Sequence, residues 1–246
     1  MDPIFLLIPA ALLVGTSKGG LASAGSLAVP LTALLMNPVE AAALLLPVFI
    51  VTDWVSVYLY RRDFSARNLK ILIPSALLGV VIAAFIVTWT SEAFLLIATG
   101  LIGFWYCLRS WLTRPDPSPR PARLLPGIIW GMLAGITSFI THTGGPPAQA
   151  YLLPQNMPKL VFAGTISITF AAINLSKLPG YYVTGLFEGL NWSIVAILIV
   201  TGVFGTVLGR RLTMILPQAA YVRVIQVLLF GLSVVLVTKG GADLIG

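Results

Sequence analysis

Apolar stretches close to twenty residues long recur along this chain, among them Leu69–Trp89, Ala93–Trp111, Trp192–Met214 and Ala219–Thr238. A helix needs ~20 such residues to cross ~30 Å of hydrocarbon, and in lipid a helix satisfies its own backbone N–H and C=O groups. A water-soluble fold has no use for so many of them. Of the 246 residues 58% are hydrophobic and only 9% charged, and the mean hydropathy is +0.97. The expected fold is therefore all-α, a polytopic membrane protein. The start, Met1 to Gly15, has an acidic Asp2 and no basic n-region, so it reads as a retained first membrane segment and not a cleaved signal peptide.

Charge and rare residues exclude several functions. The formal charge of +7 comes from 15 Lys and Arg gathered in a few short loops, which in a membrane protein reports orientation and gives no reason to expect nucleic acid. Cys107 is the single cysteine and His142 the single histidine, so no disulfide framework and no Cys/His metal site can be built within one chain. No cofactor is expected.

Two stretches are interrupted where a membrane helix should run on. From Gly131 the sequence reads GMLAGITSFITHTGGPPAQAYLLPQ, with the break at Thr141 to Pro147. Glycine takes backbone angles other residues avoid and proline lacks the N–H that helix continuation needs, so one helix should end near His142 and a second should start at the prolines. The positive end of that second helix attracts anions. The other interruption is Thr16-Ser17-Lys18-Gly19-Gly20, followed by a modest apolar piece from Leu21 to Met36 that contains Ser23-Ala24-Gly25-Ser26 and Pro30.

These interruptions open two similar halves: 1–112, a Pro-rich basic cytoplasmic linker at 113–123, and 124–246. Each holds a broken pair and three long segments. Phe64-x-x-x-Asn68 recurs as Phe187-x-x-x-Asn191 and Gly79 falls opposite Gly202, all at an offset of 123, half the chain length, with small indels elsewhere. The loop after the first long segment carries Arg61, Arg62 and Arg67, while its counterpart from Val183 to Leu190 carries only Glu188. Positive loops stay inside, so these two should face opposite sides and the repeats should be inverted. A re-entrant pair plus three spanning helices satisfies the parity, and so do five crossings. The tryptophans Trp54, Trp89, Trp105, Trp111, Trp130 and Trp192 fall near segment ends, where an interfacial belt is expected.

In inverted-repeat transporters the broken helices of the two halves meet near the bilayer midplane and form the substrate site. The candidate substrate-binding residues are then Ser17, Lys18, Ser23, Gly25 and Ser26 from the first break, and Thr141, His142, Thr143, Gly144, Gly145 and Gln149 from the second. Asn174 and Lys177 join them as an Asn-x-x-Lys surface on the following segment. For the hydroxyl residues the alternative is helix packing, and for Lys18 and Lys177 it is snorkelling to the interface. Tyr151 and Gln155 read as interfacial and interhelical groups. Asp53 lies within its apolar segment, where a charge is costly, and either pairs with a basic residue or takes part in coupling. His142 is the second coupling candidate, as the one side chain that ordinarily titrates near neutrality. Paired helix N-termini, hydroxyls and these cations suit a small oxyanion, held by charge-assisted hydrogen bonds.

The runs SFITHTGGPPAQAYLLPQ from Ser138, FAGTISITFAAINLSKLPGYY from Phe162 and LLPVFIVTDWVSVYLYRRDFSARN from Leu44 resemble the TauE/SafE sulfite exporter family over nearly the whole chain. The resemblance implies a multi-pass transporter of the bacterial inner membrane. It would move sulfite, sulfoacetate or another organosulfonate outward by alternating access with proton coupling. Where other branches carry G-x-G-G-G at the breaks, this chain reads Ser23-Ala24-Gly25-Ser26 at the first. The implied partners are a small anion and the lipid bilayer, with a homodimer as a candidate assembly and no catalytic role. Two other classes can be written on the same residues. One is an anion channel; the other is an intramembrane hydrolase using Ser138, four residues before His142 on one helical face. No G-x-S-x-G elbow supports the latter.

Overall fold

A computed structural model describes residues 4–22, 24–28, 32, 38–86, 91–112, 120–183, 185 and 187–245. Among these, every regular element is helical. The first half contains α1 (Ile4–Lys18), a 3-10 turn at Ala24–Leu27, α2 (Pro38–Leu59), α3 (Ala66–Ile86) and α4 (Glu92–Leu112). The second contains α5 (Leu124–Thr141), the short α6 (Gly145–Leu152) with a 3-10 turn at Leu153–Gln155, α7 (Lys159–Val183), α8 (Trp192–Ile215) and α9 (Gln218–Ile245). Helix α9 runs past the expected Thr238 and through Gly240 and Gly241. Gly240 lies against the Ala93 carbonyl of α4, so packing outweighs the low helix propensity of the glycine pair.

The chain is a polytopic membrane protein. Helices α3, α7, α8 and α9 are each long and apolar enough to cross a bilayer, and α1, α2, α4 and α5 add shorter apolar helices. Large apolar side chains face outward: Phe5, Trp54, Phe85, Phe94, Trp105 and Phe204 are all at least half exposed. Polar ones are turned in, among them Lys18, Asp53, Ser56, Asn68, Gln149, Asn174 and Lys177. Lipid solvates the first set as well as a core would, so the interior is left to small residues and to groups that need hydrogen bonds. Trp54, Trp105, Trp111 and Trp192 are exposed and Trp130 is partly exposed; Trp89 lies outside the described residues.

Contacts between the two halves come in matched sets. Helix α1 packs on α8, and its counterpart α5 packs on α3; α2 meets α8 while α7 meets α3; α2 meets α7, and α4 meets α9. The first of these crossings is backbone on backbone. A methyl group at Gly15 would run into the Gly202 carbonyl oxygen, and one at Gly135 or Gly79 would run into the carbonyls of Ala76 and Met132 across the equivalent α3–α5 crossing. Such close approach is how membrane helices gain packing energy where lipid removes any hydrophobic drive between them.

The best residue-level match between halves lies on α2 and α7. Phe49, Asp53, Ser56 and Tyr60 stand opposite Phe170, Asn174, Lys177 and Tyr181, each pair separated by the same 121 positions. Spacings of four, three and four put each quartet on one helical face. Those two faces meet at the centre of the molecule.

Candidate functional site

Both breaks end helices by local geometry. At the first, Gly20 takes φ 126°, Gly20 N–H donates to Ser17 O at 3.0 Å and Leu21 N–H to Thr16 O at 3.1 Å, which is the glycine-terminated helix end. At the second, His142 itself takes the left-handed conformation with φ 55°. Its N–H donates to Ser138 O and that of Thr143 to Thr137 O. A non-glycine residue held there costs ~1–2 kcal/mol and persists where surroundings fix it. Helix α6 then starts at Gly145, close to the expected prolines.

The two breaks face one cavity. Its wall includes Ser17, Lys18 and Gly25 from the first break, Ser138, His142 and Gly145 from the second, and Phe49, Ser167, Phe170 and Asn174 from α2 and α7. Its volume is about 40 Å³, enough for a few waters or one small solute.

Carbonyls at the first break are fully occupied. Lys18 O accepts from Ser56 Oγ at 2.6 Å and from Ser167 Oγ at 3.2 Å. Gly19 O accepts from the Tyr60 hydroxyl and from Thr213 Oγ1, and Gly20 O from the Tyr221 hydroxyl at 2.7 Å. This end of α1 therefore turns a cationic side chain, not a helix N-terminus, toward the cavity. The second break offers fewer amide donors than expected, because Pro146 and Pro147 fill the first turn of α6 and leave Gly145 N–H there. The positive field comes mainly from side chains.

Neither lysine snorkels. Lys18 is 6% exposed, and Lys177 is fully buried. The Lys18 ammonium contacts Asp53 Oδ1 at 2.6 Å and lies 5.3 Å and 5.5 Å from the ring centres of Phe49 and Phe170, the matched pair on α2 and α7. Asp53 Oδ2 accepts from Asn174 Nδ2 at 2.8 Å, and Asn174 Oδ1 accepts from Lys177 Nζ at 3.2 Å. The carboxylate can only accept, which fixes the orientation of the Asn174 amide. Lys177 Nζ also reaches Ser138 Oγ at 3.0 Å and His142 Nδ1 at 3.4 Å. His142 Nε2 lies 2.9 Å from the Tyr181 hydroxyl, so both ring nitrogens are engaged, one as donor and one as acceptor in the neutral ring.

A buried polar chain thus links the breaks: Lys18, Asp53, Asn174 and Lys177, ending on Ser138 and His142. Lys177 stands behind the cavity wall and aligns three of the groups in it. Thr143, Gly144 and Gln149 are buried beside the cavity without lining it. Ser23 lies outside the described residues, as do the side chains of Ser26 and Thr141, whose backbones belong to the 3-10 turn and the last residue of α5. Gln155 exchanges hydrogen bonds with Asn68, the interhelical role expected of it. Tyr151 is buried, with its hydroxyl on Arg123 O, and so is not a belt residue.

Both His142 ring nitrogens are engaged by Lys177 and Tyr181, and Ser138 Oγ accepts from Lys177, which is not a serine–histidine pair prepared for nucleophilic attack. Phe49, Phe170, Ser56, Ser167, Tyr60 and Tyr181 belong to the site and its supports but were not singled out from sequence. For all of these but Ser167 the signal was present, as the quartet repeated at 121 positions.

A model of the family described as sulfite exporter TauE/SafE matches residues 7–236 of the chain. Searches of curated proteins and of solved structures give no match.

Proposed function

Since the chain belongs to the sulfite exporter TauE/SafE family, a family of membrane transporters and not of enzymes, we propose that it exports a small sulfur-containing anion such as sulfite, sulfoacetate or another organosulfonate from the bacterial cytoplasm across the inner membrane. One observation carries this reading: both helix breaks, from opposite halves of the chain, line the same cavity with a buried lysine in its wall. Lys18, Ser17, Ser138, His142, Asn174 and the Gly25 and Gly145 backbone receive the anion there, with Lys177 organising the second break from behind. An anion held by hydroxyl and ammonium donors in a low-dielectric site gains charge-assisted hydrogen bonds of about twice the neutral strength.

The halves 1–112 and 124–246 are inverted repeats joined by a cytoplasmic linker at 113–123, a reading supported by the opposite charge of equivalent loops and by the matched contacts between halves. Transport proceeds by alternating access as the halves rock about the cavity, driven by the proton gradient, with His142 in the cavity wall and Asp53 behind Lys18 as the coupling groups. The protein works as a multi-pass chain, assembled as a homodimer.

Flux in proteoliposomes tests this. Preloaded sulfite or sulfoacetate should leave protein-containing vesicles saturably and faster than acetate. Flux of all three equal to that of protein-free vesicles rules the reading out.

A further inference from the structure

A second recess lies where the linker enters the second half. Arg120, Arg123, Pro126 and Trp130 wall one side of it, and Tyr151 and Gln155, from the end of α6 and the turn that follows, wall the other. Its volume is about 390 Å³, within the ~300–1,000 Å³ usual for bound small groups. Hydrogen bonds hold the rim in place: Arg120 N–H donates to Pro154 O at 3.2 Å, the Tyr151 hydroxyl to Arg123 O at 3.1 Å and Arg67 Nε of α3 to Ala122 O at 2.9 Å. Arg67, Arg120 and Arg123 thus gather at one rim. Among the described residues the one ion pair is that of Lys18 with Asp53, so no carboxylate there neutralises these arginines. The other polar side chains of the wall are taken, Tyr151 by Arg123 O and Gln155 by Asn68 and Tyr151 O. The donors left for an anion are the guanidinium groups of Arg120 and Arg123.

Lipid borders this recess. Pro126 and Trp130 stand one turn apart on α5, and so do their preceding neighbours Leu125 and Ile129, which are 68% and 48% exposed. The two stripes are adjacent on the helix surface, so the basic recess opens beside a stripe that faces acyl chains. A small soluble anion would use the arginines alone. A phospholipid uses both features, because its phosphodiester accepts charge-assisted bonds from guanidinium N–H groups while a chain covers the apolar stripe.

We infer that this recess binds the headgroup of an anionic phospholipid, with the phosphodiester on Arg120 and Arg123 and an acyl chain along Leu125 and Ile129. The opposite wall gives that binding a consequence. Gly145 at the start of α6 lines the solute cavity and Tyr151 near its end lines the recess, so one short helix runs from one to the other. A bound headgroup ties the linker to the end of α6 and braces the second break from its far side. The inference holds whichever solute the cavity takes.

The test is thermal unfolding of the full chain in neutral detergent, with lipid retention counted by native mass spectrometry. The added probes are phosphatidylglycerol, phosphatidylcholine with the same chains, glycerol 1-phosphate and inorganic phosphate. Phosphatidylglycerol should raise the wild-type midpoint by several degrees, and the other three should leave it in place. Arg120→Gln with Arg123→Gln should lower phosphatidylglycerol affinity by at least about tenfold and remove most of the rise. Arg61→Gln with Arg62→Gln takes the same charge from another exposed loop and should keep it. Mass spectra of the single variants Arg120→Gln and Arg123→Gln read the same loss if the double variant is too unstable to melt. Three results overturn the inference: no rise with phosphatidylglycerol or an equal one with phosphatidylcholine, an equal loss in the two double variants, or a soluble phosphate that matches phosphatidylglycerol.

Discussion

The Asn174 amide donates to Oδ2 of Asp53 at 2.8 Å, and the two residues stand at matching places on α2 and α7. The same position in the two halves holds a carboxylate in one and its neutral isostere in the other, joined to each other. Moving the charge across this bond is a direct perturbation. Asn174→Asp places a second carboxylate against Asp53 and adds negative charge to the cavity wall, so methanesulfonate affinity, read by calorimetric titration, should fall by at least about tenfold. The exchange variant Asp53→Asn with Asn174→Asp restores one carboxylate and should recover most of the loss in the same titration.

Lys177 should matter to stability as well as to binding. In Lys177→Met, Ser138 Oγ, Asn174 Oδ1 and His142 Nδ1 lose their common donor, at a cost of about 1–3 kcal/mol for each buried group left unpaired. The thermal midpoint in detergent should drop by several degrees and anion affinity should fall. A midpoint within about one degree of wild type would mean that Lys177 does not organise the second break.

The α1–α8 crossing should tolerate no side chain. Gly15→Ala puts a methyl on the Gly202 carbonyl and forces the helices apart, with an expected loss of about 1–3 kcal/mol. Gly231→Ala on α9, where a methyl meets open space, should be neutral or stabilising by about 0.5–1 kcal/mol. Thermal melts of the two variants side by side check the contrast.

Phe49 and Phe170 hold the Lys18 ammonium between them and also bound the cavity. Phe170→Ala should widen the site and weaken the positioning of Lys18. Affinity for methanesulfonate should fall while that for a bulkier sulfonate such as benzenesulfonate falls less or rises. A uniform loss for both would mean that the ring does not set solute size.

Much of this site was legible in the chain and some of it was not. The Gly-Gly-Pro-Pro string located the second break to within a few residues, because glycine and proline act through local backbone chemistry. Lys18 and Asp53 were each visible as charges in apolar surroundings, but their pairing depends on how α1 crosses α2, which no local pattern encodes. Lys177 was ambiguous because Pro179-Gly180 resembles a helix end; α7 in fact continues through both to Val183 and keeps the lysine deep. Overestimated were the helix N-termini. Two prolines in the first turn of α6 remove donors that the dipole argument had counted, and α1 points its carbonyl end toward buried hydroxyls. The two quartets at the site stand 121 positions apart, not 123, and at the α1–α8 and α3–α5 crossings Gly79 takes the place that Gly205 holds, not Gly202, because Gly79 lies against the Met132 carbonyl and Gly205 against that of Leu12.

The central claim is that a solute anion sits between the two breaks beside Lys18. A crystal or cryo-EM structure with 2-bromoethanesulfonate bound, its bromine placed by anomalous scattering, tests this most directly. The account predicts the sulfonate in the cavity within hydrogen-bond reach of Lys18 Nζ and of Ser17 or Ser138. Bromine located only outside that cavity, for example beside the loop arginines Arg120 and Arg123, would contradict it.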